Sequence, residues 1–263
     1  MHTAFRRMSR HATFASLLAG ACALSAHAQR DCGPAGARDP QSVYPTAKYD
    51  GRYTFARIYY NSGLGGGFRG RGEAPWHHDY PNAEQHFSKL VSSLSSVRVR
   101  LDGSVIVALT DPQLFKYPIA YMSEPGRWYP SDEEVTALRK YLQKGGFLIF
   151  DDFANNDIYN LQEQMSRVIP KMQLIELKPD HPVFDSFYRV KSLEYVHPYY
   201  CVKSSFFGIF ENNDPAKRML AVVNYNNDLG ELWEFSDWGY YAVNTSNEAY
   251  KLGLNYLIYA MSR

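Results

Sequence analysis

"GGFLIFDDFANND", residues 145–157, decides how the rest of the chain is read. Two glycines release an apolar run, residues 147–150, that is short, aromatic and β-branched, with no polar alternation. A strand buried on both faces of a parallel sheet has this composition. The run ends in two carboxylates, Asp151 and Asp152, with Asn155, Asn156 and Asp157 close behind. Two readings of the pair stand. Either it performs chemistry or grips a ligand, or one of the two caps a helix expected from about 156 to 168 while the other is solvated.

The flanking segments supply the alternation that a parallel sheet needs. Residues 53–60 read as a β-branched and aromatic strand. Over residues 82–94, Ala83, Phe87, Leu90, Val91 and Leu94 recur at spacings of three and four, which is one apolar helix face. Residues 97–101, 105–109 and 118–122 read as short strands. Ser131 with Glu134 three residues on forms a capping box, Val135, Leu138 and Leu142 make the stripe of the helix it opens, and Gly145-Gly146 ends it. After Pro170 come short strands at 173–177, 206–210, 219–225 and 232–235, with Asn226-Asn-Asp-Leu-Gly230 as a hairpin turn between the last two. A final helix spans 246–261. The pattern predicts an α/β fold with a mostly parallel central sheet covered on both faces.

In such sheets ligands bind beyond the carboxyl ends of the strands. That rule collects Asn61, Thr110-Asp111, Ser123-Glu124, Asp151-Asp152 and Ser236-Asp237 on one edge. Carboxylates gathered there repel one another, so some pKa values rise or a divalent cation is called for. Asp151 and Asp152 are read as the centre of an acidic cleft that would include Asp111, Glu124, Ser236 and Asp237.

Residues 65–70 match G-x-G-x-x-G literally, but no helix opens at the last glycine and no acid follows at the dinucleotide-binding distance. A flap carrying Arg69 and Arg71 over the cleft is the expectation for this loop. Trp76, His77, His78, Asp79 and Tyr80 combine imidazoles, a carboxylate and aromatics. Adjacent residues rarely point at one ion and no H-x-x-x-H or H-E-x-x-H spacing supports zinc, so helix-entry packing with ligand contact is the reading. His181 and His197 each precede proline and sit in extended or turn backbone. Of the two, His197, among polar and aromatic neighbours, is the candidate general acid or base. No G-x-S-x-G elbow is present.

The N-terminus carries Arg6, Arg7 and Arg10, a short apolar stretch at 12–24, and Ala26-His27-Ala28. These are the parts of a cleavable signal peptide, and the stretch is shorter than the roughly 20 residues a spanning helix needs. Cleavage after Ala28 is expected, giving a periplasmic or secreted chain; lipidation at Cys22 lacks the branched aliphatic three residues before it. Removing three leader arginines takes 28 basic residues to 25 against 27 acidic, a formal charge of −2. That balance argues against nucleic acid as a partner. Residues 29–51 read as a linker and 52–263 as one domain. Cys32 and Cys201 would survive processing, either as a disulfide or as two free thiols. With 21 Tyr and 15 Phe, the surface suits sugars or a protein partner, and the same residues also occur simply as half-buried strand positions.

"FARIYYNSG", "DYPNAEQHFSKL", "KYPIAYMSE", "LRKYLQKGGFLIFDDF", "HPVFDSFY" and "RMLAVVNYNNDLGELWEFSD", in this order, resemble the bacterial family catalogued as domain of unknown function 4159, over roughly residues 52–262. That family resembles in turn the class I glutamine-amidotransferase-like fold, which includes ThuA-like trehalose-utilisation proteins. The resemblance implies a three-layer flavodoxin-like sandwich. It would place the amidotransferase nucleophile just after 147–150, where Asp151-Asp152-Phe153 stands, and the catalytic histidine after 232–235, where Ser236-Asp237 stands. Neither group is present, so glutaminase chemistry is not expected. The leading expectation is an exported protein with a degenerate amidotransferase-like site, binding a small polar or carbohydrate-type ligand in an acidic cleft. The rivals are a hydrolase using Asp151 or Asp152 with His197 and a divalent cation, and a non-enzymatic module for envelope assembly.

Overall fold

The computed structural model describes residues 47–62 and 74–262. The leader, Cys22, Cys32, most of the 29–51 segment and the glycine loop with Arg69 and Arg71 lie outside the described residues. Within 47–51 the chain is tied to the body by the Ala47 N–H, which donates to the Ser104 carbonyl at 3.0 Å.

Seven strands form one sheet: β1 (Ala56–Tyr59), β2 (Val105–Ala108), β3 (Ile119–Ser123), β4 (Phe147–Phe153), β5 (Ile175–Glu176), β6 (Ser205–Phe210) and β7 (Met219–Tyr225). Their order is β2-β1-β3-β4-β7-β6-β5. The pairings among β2, β1, β3, β4 and β7 are parallel, whereas β6 and β5 add antiparallel. The order reverses between β1 and β3, which makes their carboxyl ends the topological switch point where such sheets open a crevice.

Among the described residues five α-helices, α1 (Asn82–Leu94), α2 (Asp132–Gln143), α3 (Asp157–Val168), α4 (Leu229–Glu234) and α5 (Val243–Met261), cover the two faces. The pleat of β4 sorts the core. Leu148 and Phe150 pack into the cluster that holds Leu138 of α2 and Leu161 of α3. Phe147 and Ile149 pack into the one holding Phe87 of α1, Trp233 of α4 and Leu257 of α5. The result is the mixed α/β, mostly parallel, three-layer arrangement of a flavodoxin-like sandwich.

Several sequence expectations hold to the residue. Helix α1 and strand β7 have the expected bounds, and the Ser131–Glu134 capping box is reciprocal. Others are corrected. Strand β4 runs on to Phe153, so Asp151 and Asp152 lie inside it, and neither caps α3, whose N-cap Asn156 makes no side-chain cap. The expected strand at 232–235 and its hairpin are instead helix α4. Asp228 caps it, accepting from the Glu231 N–H at 2.8 Å, while Leu229, Leu232 and Trp233, at helical spacing, are buried. Burying each such side chain is worth about 1.5–3 kcal/mol, which outweighs the weak intrinsic stability of six residues. The strand expected at 97–101 reduces to one bridge, Val99 to Tyr53.

Candidate functional site

A cavity of about 620 Å³ opens at the switch point. Its wall comes from the 74–80 segment after β1, from Glu124 after β3, from the end of β4, from Tyr199 and Tyr200, and from α4. Four ligand-type side chains converge on its floor, His78, Asp79, Asp152 and Asp228, with one donor atom from each all within 4.8 Å of one another.

Asp152 is the pivot. The β4–β7 register shifts between Phe150 and Phe153, and Asp152 adopts φ +61, a left-handed conformation that costs a non-glycine residue about 1–3 kcal/mol. The bulge turns its carboxylate into the cavity. There Oδ2 accepts from Ser123 Oγ at 2.9 Å and lies 2.7 Å from His78 Nδ1, while Oδ1 accepts from Tyr200 Oη at 2.9 Å. Burial pushes the Asp152 carboxyl up, but the charge of His78 and these hydrogen bonds outweigh it and hold the group below its ordinary value.

Asp151 points to the opposite face of β4. Its Oδ2 accepts from Tyr121 Oη at 2.8 Å and from the first two backbone N–H groups of α4, Leu229 at 2.8 Å and Gly230 at 3.1 Å. It is fully buried, and burial raises it to about 7 against these donors. The role is to fasten α4, and with it Asp228, to the sheet.

His78 and Asp79 are adjacent yet share the cluster, contrary to the expectation that neighbours diverge. Asp79 takes φ +64, which folds the turn back on itself. The turn is held from below by Arg57 of β1, fully buried, whose Nη1 donates to the carbonyls of Trp76 at 3.1 Å and His78 at 2.9 Å. Arg57 also pairs with the buried Glu84 of α1 and stacks over the Tyr121 ring. Burial lowers the His78 pKa, but Asp152 and Asp79 reverse that and lift it to about 11. Burial drives Asp79 and Asp228 well above the ordinary carboxylate range, and the Asp152 charge adds to both. Glu124, at φ +45 and 3.9 Å from His78 Nδ1, is raised to about 8 by burial and then by Asp152.

The remaining sequence candidates divide. His77 and Tyr80 line the cavity, whereas Trp76 is buried with its ring edge-on to Tyr59. Asp111 stands at the same sheet edge but caps the next turn, accepting from the Gln113 N–H at 2.8 Å. Because 232–235 is helix, Ser236 and Asp237 are carried off the edge. Ser236 Oγ bonds the Trp233 carbonyl and Tyr250 Oη, and exposed Asp237 lies 3.4 Å from His86 Nε2. His197 is corrected as a general acid. It is fully buried, Nε2 donates to the Asp228 carbonyl at 3.1 Å, Nδ1 accepts from the Tyr199 N–H at 3.3 Å, and burial lowers its pKa to about 4. A neutral ring bonded to backbone on both nitrogens holds the Tyr199–Tyr200 loop rather than moving protons. Cys201 is exposed and free among the described residues.

With the switch-point cleft in view, a family model matches residues 54–261. The chain belongs to that family, Domain of unknown function (DUF4159). A search of the curated proteins finds no match. The resemblance stated from sequence is thereby supported at the level of the family.

Sequence reasoning missed Asp228, Tyr200, Arg57 and Glu84. Asp228 was open to detection, because a cap residue three before Glu231, just past a buried strand, is a helix-start signal at a carboxyl end. Nothing local marks Arg57 as buried.

Proposed function

We propose that this chain is an exported binding protein whose degenerate amidotransferase-like site takes a small, neutral, polyhydroxylated ligand of the carbohydrate type. The observation that carries the reading is the make-up of the cavity wall: the carboxylates Glu124, Asp152, Asp228 and Glu231 beside the rings of Tyr199, Tyr200 and Phe235. Asp152, held ionised, accepts hydrogen bonds from hydroxyl groups and repels anions, the raised carboxyls of Glu124 and Asp228 can donate as well as accept, and aromatic faces cover the apolar C–H faces of a sugar ring. About 620 Å³ is within the range of small-molecule sites. Export is supported by the leader at residues 1–28, and N-terminal sequencing of the chain recovered from the periplasm or medium tests it, with Gln29 expected first. Calorimetric titration with neutral mono- and disaccharides and with peptidoglycan fragments tests the ligand class. Binding should appear in the wild type and weaken in Tyr199→Ala, whose ring is half exposed. Binding of anionic ligands alone would end the proposal.

A second reading has its own observation. Glu124, raised to about 8, and Asp152, held ionised, present a proton donor and a carboxylate base across one cavity, the division of labour of a hydrolytic pair. A panel of glycosides and esters turned over by the wild type, and by neither Glu124→Gln nor Asp152→Asn, would replace binding with hydrolysis.

A further inference from the structure

We propose that His78, Asp79, Asp152 and Asp228 form a binding centre for one divalent transition-metal cation, of the Mn²⁺ or Zn²⁺ type, in the floor of the cleft. The proposal deepens the reading of the cleft as a ligand site, and it is tested with the metal alone so that the two fail separately.

Four observations carry it. The donor atoms lie within 4.8 Å of one another, a span that one ion can bridge, and they come from three separate stretches of chain. Asp79 is the decisive one. Its side chain has no exposed surface, it points into this cluster, and neither oxygen has a hydrogen-bond partner among the described residues. The nearest cationic atom, His78 Nδ1, is 3.5 Å from Oδ1. A buried carboxylate without a donor is expensive, and native proteins supply a partner or an ion.

Space is kept for that carboxylate by the absence of a side chain at residue 230. A Cβ there would lie 2.3 Å from Asp79 Oδ2. The donors are also oriented from behind, as metal ligands are: Arg57 holds the His78 carbonyl, Ser123 and Tyr200 hold Asp152, and the Glu231 N–H holds Asp228.

The plain alternative is that burial keeps the Asp79 and Asp228 carboxyls protonated, with His78 and Arg57 supplying positive charge and no ion bound. Nδ1 of His78 then lies against Asp152 at 2.7 Å, and a protonated Asp79 still finds no hydrogen-bond partner for either oxygen. A divalent ion placed between the four groups satisfies all of them. One imidazole with three carboxylates suits Mn²⁺ or Zn²⁺ over Ca²⁺, which takes six to eight oxygens.

The test is calorimetry of the full chain, stripped with EDTA and dialysed, titrated with MnCl₂ and separately with ZnCl₂. The wild type should take up one ion per chain. Asp79→Asn and Asp228→Asn, similar in shape and without the charge, should each bind about 100-fold more weakly or worse. Asparagine caps helices as well as aspartate does, so Asp228→Asn stays folded and decides the question alone if Asp79→Asn does not fold. No uptake of either metal by folded wild type overturns the proposal, and so does wild-type affinity in folded Asp228→Asn. Saccharide titrations in excess EDTA and in excess Mn²⁺ separate the two readings. Sugar binding indifferent to metal leaves the ligand proposal standing without this one, and metal binding without sugar binding does the reverse.

Discussion

Gly230→Ala is the most incisive single perturbation of the cleft. The new methyl carbon would sit 2.3 Å from Asp79 Oδ2 and 2.7 Å from Tyr121 Oη, whereas real Cβ atoms essentially never come within 3.0 Å of a neighbour. The Asp79 carboxylate must therefore retreat by about 0.7 Å, or the start of α4 must lift off β4 and lengthen the bonds that Leu229 and Gly230 donate to Asp151. A metal ligand tolerates about 0.2 Å of displacement, so a retreat of this size removes Asp79 from the site. Overpacking of this kind costs about 1–3 kcal/mol, and replacing a helical glycine by alanine returns about 0.5–1 kcal/mol. The net loss of stability is then about 0–2.5 kcal/mol, or up to roughly 10 °C in Tm for a domain of this size. Mn²⁺ affinity should fall about 100-fold, which corresponds to about 2.8 kcal/mol. The matched control is Gly253→Ala in α5, where a Cβ would meet the Phe87 and Trp233 rings at 2.6 Å, on the helix-covered side of the core. It should lower Tm by a similar amount and leave metal affinity alone. Paired calorimetry and thermal denaturation decide the matter. If Gly230→Ala binds Mn²⁺ as the wild type does, Asp79 is not a ligand and the steric argument fails.

Three further outcomes follow from the buried polar groups. Asp151→Ala leaves the Tyr121 hydroxyl and two N–H groups at the head of α4 without their acceptor, and at about 1–3 kcal/mol for such a group should lower Tm by 5 °C or more, roughly; an unchanged Tm would show that α4 is held by its apolar face alone. Arg57→Met or Glu84→Met, each leaving a buried partner uncompensated, should each cost about 3–5 kcal/mol, while the double variant Arg57→Met, Glu84→Met recovers most of it; additive losses in urea denaturation would refute the coupling. His197 gives a pH signature. Its pKa falls from 6.5 to about 4 on folding, so the unfolded chain binds the extra proton between these values and stability is lost as pH drops through that window. At about 1.4 kcal/mol per unit the loss approaches 3 kcal/mol. Asp151 and Glu124, raised on folding, act in the opposite sense, so the readout is the difference between wild type and His197→Gln, which should shrink from pH 7 to pH 4. A difference constant across that range contradicts the neutral, buried assignment.

Much of the framework was legible because it rests on periodicity. Helix α1, the capping box and β7 follow from apolar spacing and caps that need no tertiary information. Helix α4 was misread because Leu232-Trp-Glu-Phe235 is short and aromatic, and six residues give periodicity too little length to separate a helix from a strand. That error displaced the site, since it sent Ser236 and Asp237 to the edge and kept Asp228 out of it. The convergence of His78 with Asp79 depends on a left-handed residue, and the turn of Asp152 on a bulge in β4. Backbone conformations of that kind carry no signature when the residue is aspartate rather than glycine. Arg57 illustrates the same limit: a charge inside a strand reads as solvent-facing until a partner on another element, here Glu84, is brought against it.

Carboxylates from distant parts of the chain meet over one hollow at the sheet's switch point. Anomalous diffraction from crystals grown with Mn²⁺ looks at this directly. A manganese peak within bonding distance of His78, Asp79, Asp152 and Asp228 is the expected result, whereas well-ordered density for these four side chains with no peak among them would contradict it.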